Sequence, residues 1–148
     1  MKIIIDTNII FSALLNSSGT IGDLIFNSDR FFDFYSFSYM NQEIDRHWVK
    51  LKSISKLTEN QLQVAKFELV KKISFINEEL IPEKLWLNAE RIVKDIDIDD
   101  LDFVALTNFL KGYLWTGDKP LYNGLKDIKF TKVLNTKDLE ELRKSKEA

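Results

Sequence analysis

Cysteine is absent from the 148 residues and histidine occurs once. Disulfides, thiolate catalysis, iron–sulfur clusters and cysteine zinc sites are therefore excluded, as is a histidine-rich metal site built by one chain. A metal-free ribonuclease mechanism using paired histidines is excluded as well. Any metal would have to be held by oxygen. Proline occurs twice, at Pro82 and Pro120, and glycine five times. No Pro/Gly/Ser-rich stretch marks a linker, so a single domain over residues 1–148 is expected. An excess of one charge is lacking too: 21 basic and 23 acidic side chains leave a formal charge of -2, which argues against a broad cationic surface. No apolar run approaches the roughly 18 to 20 residues of a membrane span, so no membrane association is expected. The N-terminal segment meets Asp6 after Ile3, Ile4 and Ile5, far short of a signal-peptide core. The expected location is cytoplasmic.

What is present is an alternation of short β-branched and aromatic runs with longer segments of helical period, the pattern of an α/β domain with a parallel sheet. Five strands are expected, at Lys2 to Ile5, Phe32 to Ser36, Ile73 to Ile76, Tyr113 to Trp115 and Lys132 to Leu134. Leu51, Leu57, Leu62, Ala65, Leu69 and Val70 mark amphipathic helices, one opening with a capping box at Thr58 to Gln61. Further helices are expected from near Pro82 to Lys84, and from near Asp100, with Leu101, Val104, Ala105 and Phe109 as a buried face. Helices would then cover both sides of the sheet. The aromatic run Phe31, Phe32, Phe34, Tyr35 and Phe37 reads as core and sheet. From about residue 140 the chain is almost wholly polar, and this charged tail is expected to fray and to be dispensable.

Acidic residues gather at three places. Asp6 ends a strand that reads as buried on both faces, at the sheet edge where α/β proteins bind ligands. There it is either a helix N-cap, or a metal ligand or nucleophile. Five aspartates fall within Asp95 to Asp102, a density of like charge that costs stability unless water or a cation screens it. An EF-hand does not fit, because Asp100 stands where glycine is required and Leu106 where the bidentate glutamate is required. Asp118, after Thr116-Gly117, repeats the strand-to-carboxylate arrangement of Asp6, with Gly117 permitting a tight turn. Gly112 to Lys119 brushes a phosphate-binding loop but lacks lysine directly after the second glycine. Glu43 lies early in a helical segment, with His47 one turn on.

Asp6-Thr7-Asn8 after a strand, Glu43 in a helix, an aspartate cluster before Phe103-Val104-Ala105-Leu106, and Thr116-Gly117-Asp118 together resemble the PIN-domain family over nearly the whole chain. The resemblance implies a three-layer α/β/α fold and a Mg²⁺- or Mn²⁺-dependent ribonuclease, as in the toxins of toxin–antitoxin pairs. RNA would be the substrate, an antitoxin protein a partner, and a homodimer the assembly. It implies Asp6, Glu43, Asp100 and Asp118 as catalytic acids, with the metal on Asp6, Asp100, Asp102 and Asp118. Asp100 fits the spacing to Phe103 better than Asp102, and Asp99 comes third. Asn8 and Thr116 match positions that orient the ligands. Hard divalent cations take such oxygen donors, and a pair of them can activate water and stabilise a leaving oxygen.

RNA contacts are expected from Arg46, His47 and Lys119, with Lys50, Lys52 and Lys56 nearby; Asn135-Thr136 could border the site. A haloacid-dehalogenase-type phosphatase would need a second aspartate where Asn8 stands. A phospho-acceptor receiver would need an aspartate after Ile76, where Asn77-Glu78-Glu79 follows. The remaining alternative is a non-catalytic PIN-like module that binds RNA or protein.

Overall fold

The computed structural model describes all residues, 1–148. Five parallel strands form one sheet: β1 (Lys2–Ile5), β2 (Asp33–Phe37), β3 (Ile73–Ile76), β4 (Tyr113–Trp115) and β5 (Val133–Leu134), in the order β3-β2-β1-β4-β5. Ile3, Ile4 and Ile5 are fully buried, so the central strand is apolar at consecutive positions instead of alternating. The bounds expected for β1, β3 and β4 hold; β2 and β5 each start one residue later, leaving Phe32 and Lys132 outside the sheet.

Helices α1 (Thr7–Leu15), α2 (Thr20–Phe26), α4 (Trp48–Ser55) and α5 (Glu59–Lys71) pack on one another. The short α3 (Met40–Arg46) precedes α4, and Leu57 falls in the link before α5, outside either helix. Thr58 and Gln61 close the capping box expected for α5. Helices α6 (Glu83–Val93) and α7 (Leu101–Leu110) pair with each other, and α7 packs against β1 and β4. Helix α8 (Lys119–Asp127) links β4 to β5, and α9 (Thr136–Glu147) returns to α2. The result is a three-layer α/β/α sandwich around one apolar cluster. No single helix is long and apolar enough to cross a membrane.

The expected fraying from about residue 140 is corrected: α9 runs to Glu147 and is fastened at its start and at Arg143. Asn135 and Asp138 form a reciprocal capping box at 2.8 and 3.1 Å. Arg143 reaches Asp23 Oδ2 at 2.8 Å and the buried Ser28 Oγ at 3.1 Å. Its partners lie more than a hundred residues upstream, so the local polarity of the segment carries no sign of them.

Gly112 is placed by a close approach. A Cβ there would lie 2.7 Å from both Lys2 O and Ile4 Cδ1, so the entry to β4 can lie against β1 only without a side chain. Gly117 needs no such freedom: its φ is not positive and a Cβ would meet open space, which corrects the tight-turn reading.

The chain leaves β1 toward β2 on one side and later returns to β4 on the other. This is a topological switch point, and the crevice there opens at the carboxyl ends of β1 and β4. Ile5 pairs with Trp115, so the next residues, Asp6 and Thr116, emerge side by side.

Candidate active site

Asp6 is only 4% exposed and caps α1, its Oδ1 accepting the Ile9 N–H at 3.0 Å. Its Oδ2 accepts the Thr116 hydroxyl at 3.0 Å, and Thr116 Oγ1 in turn accepts the Asp118 N–H at 3.1 Å. Asp118 caps α8 through the Leu121 N–H at 3.0 Å. The capping half of the alternative holds for both: each carboxylate is fixed by capping a helix, and the Thr116 hydroxyl links the Asp6 carboxylate to the Asp118 backbone N–H. Thr116 thus sits where a residue orienting Asp6 should sit. Asn8, the other expected support, is exposed on the first turn of α1.

A 3₁₀ turn, Ile98–Asp100, leads into α7. Asp97 caps it by accepting the Asp99 N–H at 3.0 Å. Carboxylate oxygens of Asp97, Asp100 and Asp118 all lie within 4.8 Å of one another. Oδ2 of Asp100 is buried and without a hydrogen-bond partner. Burial, followed by the charges of Asp97, Asp118 and Asp6, pushes the Asp100 carboxyl up to about 7. Burial also raises Asp6, against the hydrogen bonds from Ile9 and Thr116 that favour its charged form. Four acids thus converge on the crevice, and burial above all makes two of them, Asp100 and Asp6, resist ionising.

The other expected acids lie outside the clustered three. Asp102, on the first turn of α7, accepts the Tyr39 hydroxyl at 2.9 Å, tying α7 to the start of α3. Burial first, then Asp102, holds the Tyr39 hydroxyl above its ordinary range. Asp99 is exposed on the far side of the turn. Glu43 pairs with Arg46 at 2.9 Å on α3 and is not among the three clustered carboxylates. Asp97 is brought in although sequence spacing gave it no preference within the aspartate run. Its i, i+3 relation to Asp100 was the available signal, legible only once a 3₁₀ turn is known to lie there.

Two cavities hold residues expected to contact RNA, and only the second is lined by one of the acids, Asp118. One, of about 340 Å³, has Asn8, Ser12, His47 and Lys50 among its polar lining, with the rings of Phe11 and His47 5.4 Å apart. The other, of about 270 Å³, brings Lys119, Asn135 and Thr136 beside Thr116 and Asp118. Arg46 is exposed and engaged by Glu43, and Lys52 is engaged by Glu59 at 3.4 Å.

The chain matches the family described as PIN domain over residues 4–144. Among solved structures it is similar to the crystal structure of VapBC2 from Rickettsia felis bound to a DNA fragment from their promoter, with a TM-score of 0.65 at 14% sequence identity. That match covers 91% of this chain and 98% of the other. No curated protein matches it.

Proposed function

The chain belongs to the PIN-domain family, and on that premise we propose that it is a divalent-metal-dependent endoribonuclease acting as the toxin of a toxin–antitoxin pair. The observation that carries this reading is the meeting of Asp100 and Asp118 in the crevice above buried Asp6, with Asp100 Oδ2 left unpartnered. An unpartnered oxygen among like charges is one that a cation would satisfy in place of a proton, and an all-oxygen donor set suits Mg²⁺ or Mn²⁺. The residues present therefore fit the ion that the family implies. Asp100 and Asp118 would hold it, with Asp6 beside them.

A bound ion would supply charge neutralisation at the scissile phosphate and a more acidic water. The chain's own part is positional. Thr116 and the Ile9 N–H hold Asp6 in one orientation, and Leu121 N–H does the same for Asp118, so the carboxylates need little rearrangement to receive a cation. Lys119, which shares a cavity with Asp118, would take a phosphate beside the acids, and His47, in the cavity that Asn8 also lines, would take another. Arg46 and Glu43 form a pair that a phosphate can part, releasing Glu43 to complete the catalytic acids. The fold shared with VapBC2 supports an antitoxin as the protein partner, and we extend the reading to a homodimer.

The test is cleavage of a mixed RNA pool in EDTA, Mg²⁺ or Mn²⁺ by wild type, Asp6→Asn and Asp118→Asn. Metal-dependent cutting, reduced at least about a hundredfold in both variants, is expected. Folded protein that binds Mn²⁺ and RNA without cutting would instead identify a non-catalytic binding module.

A further inference from the structure

The sequence pattern of four acids does not account for all the charge in the crevice. Asp97 is partly buried, faces Asp100 and Asp118, and has no cation near it. We propose that Asp97 is a direct ligand of the catalytic cation, forming with Asp100 and Asp118 its three-carboxylate seat. This rests on the metal-dependent reading of the site and adds to it a residue that the resemblance did not supply.

The local backbone explains why Asp97, of the five neighbouring aspartates, takes this place. Asp97 caps the 3₁₀ turn and Asp100 ends it, which brings their carboxylates together while Asp99, between them, is exposed. The turn closes with the Asp100 N–H donating to Asp97 O at 3.2 Å, which fixes the spacing of the two. The Asp99 N–H occupies Oδ1 of Asp97, and the Asp97 carboxylate also lies against that of Asp100, as two ligands of one cation would.

The segment is also held from the far side. A Cβ on Gly124 of α8 would lie 2.8 Å from Ile96 Cγ2, so the glycine lets Ile96 seat tightly against α8. The same helix carries Asp118 at its N-cap. Asp97 and Asp118 are thereby referred to one rigid element, as ligands of a small cation need to be. An N-cap alone would not call for this arrangement, since any exposed aspartate serves that purpose.

The experiment measures Mn²⁺ affinity by calorimetry and by loss of the free-ion electron paramagnetic resonance signal, for wild type, Asp97→Asn and Asp99→Asn. Asparagine keeps the cap at position 97, and the two variants lose the same formal charge within three residues of Asp100. Asp97→Asn should weaken Mn²⁺ binding at least about tenfold, and Asp99→Asn by less than about threefold. Equal effects in the two variants would overturn the assignment, since general electrostatics would then suffice. Should Asp97→Asn melt below the assay temperature, Asp97→Ser, which also caps, takes its place.

RNA cleavage is scored in parallel. A wild type that binds Mn²⁺ tightly through Asp97 but cuts nothing removes the ribonuclease reading and leaves the ligand in place. A wild type that cuts, with Asp97→Asn binding Mn²⁺ as Asp99→Asn does, removes Asp97 alone. No Mn²⁺ binding at millimolar concentration overturns both.

Discussion

Burial and three like charges act on Asp100 in one direction, and the consequence is a pH dependence of stability with a definite sign. The folded carboxyl keeps its proton to about pH 7, whereas an unfolded one releases it near 3.8. Between those values the native state binds more protons, so the stabilisation is complete at the acidic end and is lost as pH rises through about 7. Asp6, raised by its burial, adds to the same slope. Asp23 acts oppositely: hydrogen bonding to Arg143 first, then to Asn27, lowers it, and its contribution disappears only as pH falls below the ordinary carboxylate range. Metal-free wild type should therefore lose melting temperature between about pH 4 and about pH 7 and level off above that, and Asp100→Asn should flatten the fall. Parallel melting curves for the two proteins across this range would refute the account. The residue scale also shows where sequence reading stops. Asp6, Asp100 and Asp118 were legible because each stands at a strand end or helix start that hydrophobic patterning locates. Asp97 and Asp102 were not, because a run of aspartates at one- and two-residue spacing does not say which side chains turn inward; a 3₁₀ turn and the Tyr39 hydroxyl decide it.

Elements were legible in proportion to how local their causes are. Strands β1, β3 and β4 are apolar runs interrupted by charge, glycine or helix-forming sequence, and their bounds follow from the residues themselves. Helix α9 differs. Leu139 is buried and Leu142 partly so, but the rest is polar, and its anchor is Arg143 reaching Asp23 and Ser28. The exposed part of that ion pair contributes little. The Ser28 hydroxyl matters more, because its residue is fully buried and Arg143 is its partner from α9. Arg143→Ala should cost about 1 to 2 kcal/mol in urea unfolding, through a hydroxyl left without that partner. Deleting everything after Glu140 should cost more, since Leu142 leaves the core as well. A truncated chain as stable as the full one would restore the view of this segment as a dispensable tail.

For the molecule as a whole, the sheet order sets what metal binding does to stability. Asp97 and Asp100 lie on the connection from β3 to β4, and Asp118 on the connection from β4 to β5. An ion seated among them joins two crossovers that meet only where the folded sheet brings them together, so the unfolded chain has no equivalent site. Binding then adds RT ln(1 + [L]/Kd) to folding, about 2.7 kcal/mol at a hundred times Kd. For a chain of this length each kcal/mol raises the melting temperature by roughly 2 to 4 °C. Saturating Mn²⁺ should therefore raise it by about 5 to 10 °C over an EDTA baseline. Asp118→Asn retains an N-cap for α8 but gives up a ligand charge, so its metal-free stability should stay near or above that of wild type while the Mn²⁺ increment largely disappears. The same loss of repulsion that would stabilise the metal-free variant would deprive it of the ion. An Asp118→Asn protein that gains as much from Mn²⁺ as wild type would show that the clustered carboxylates are a solvated surface and that the ion binds elsewhere.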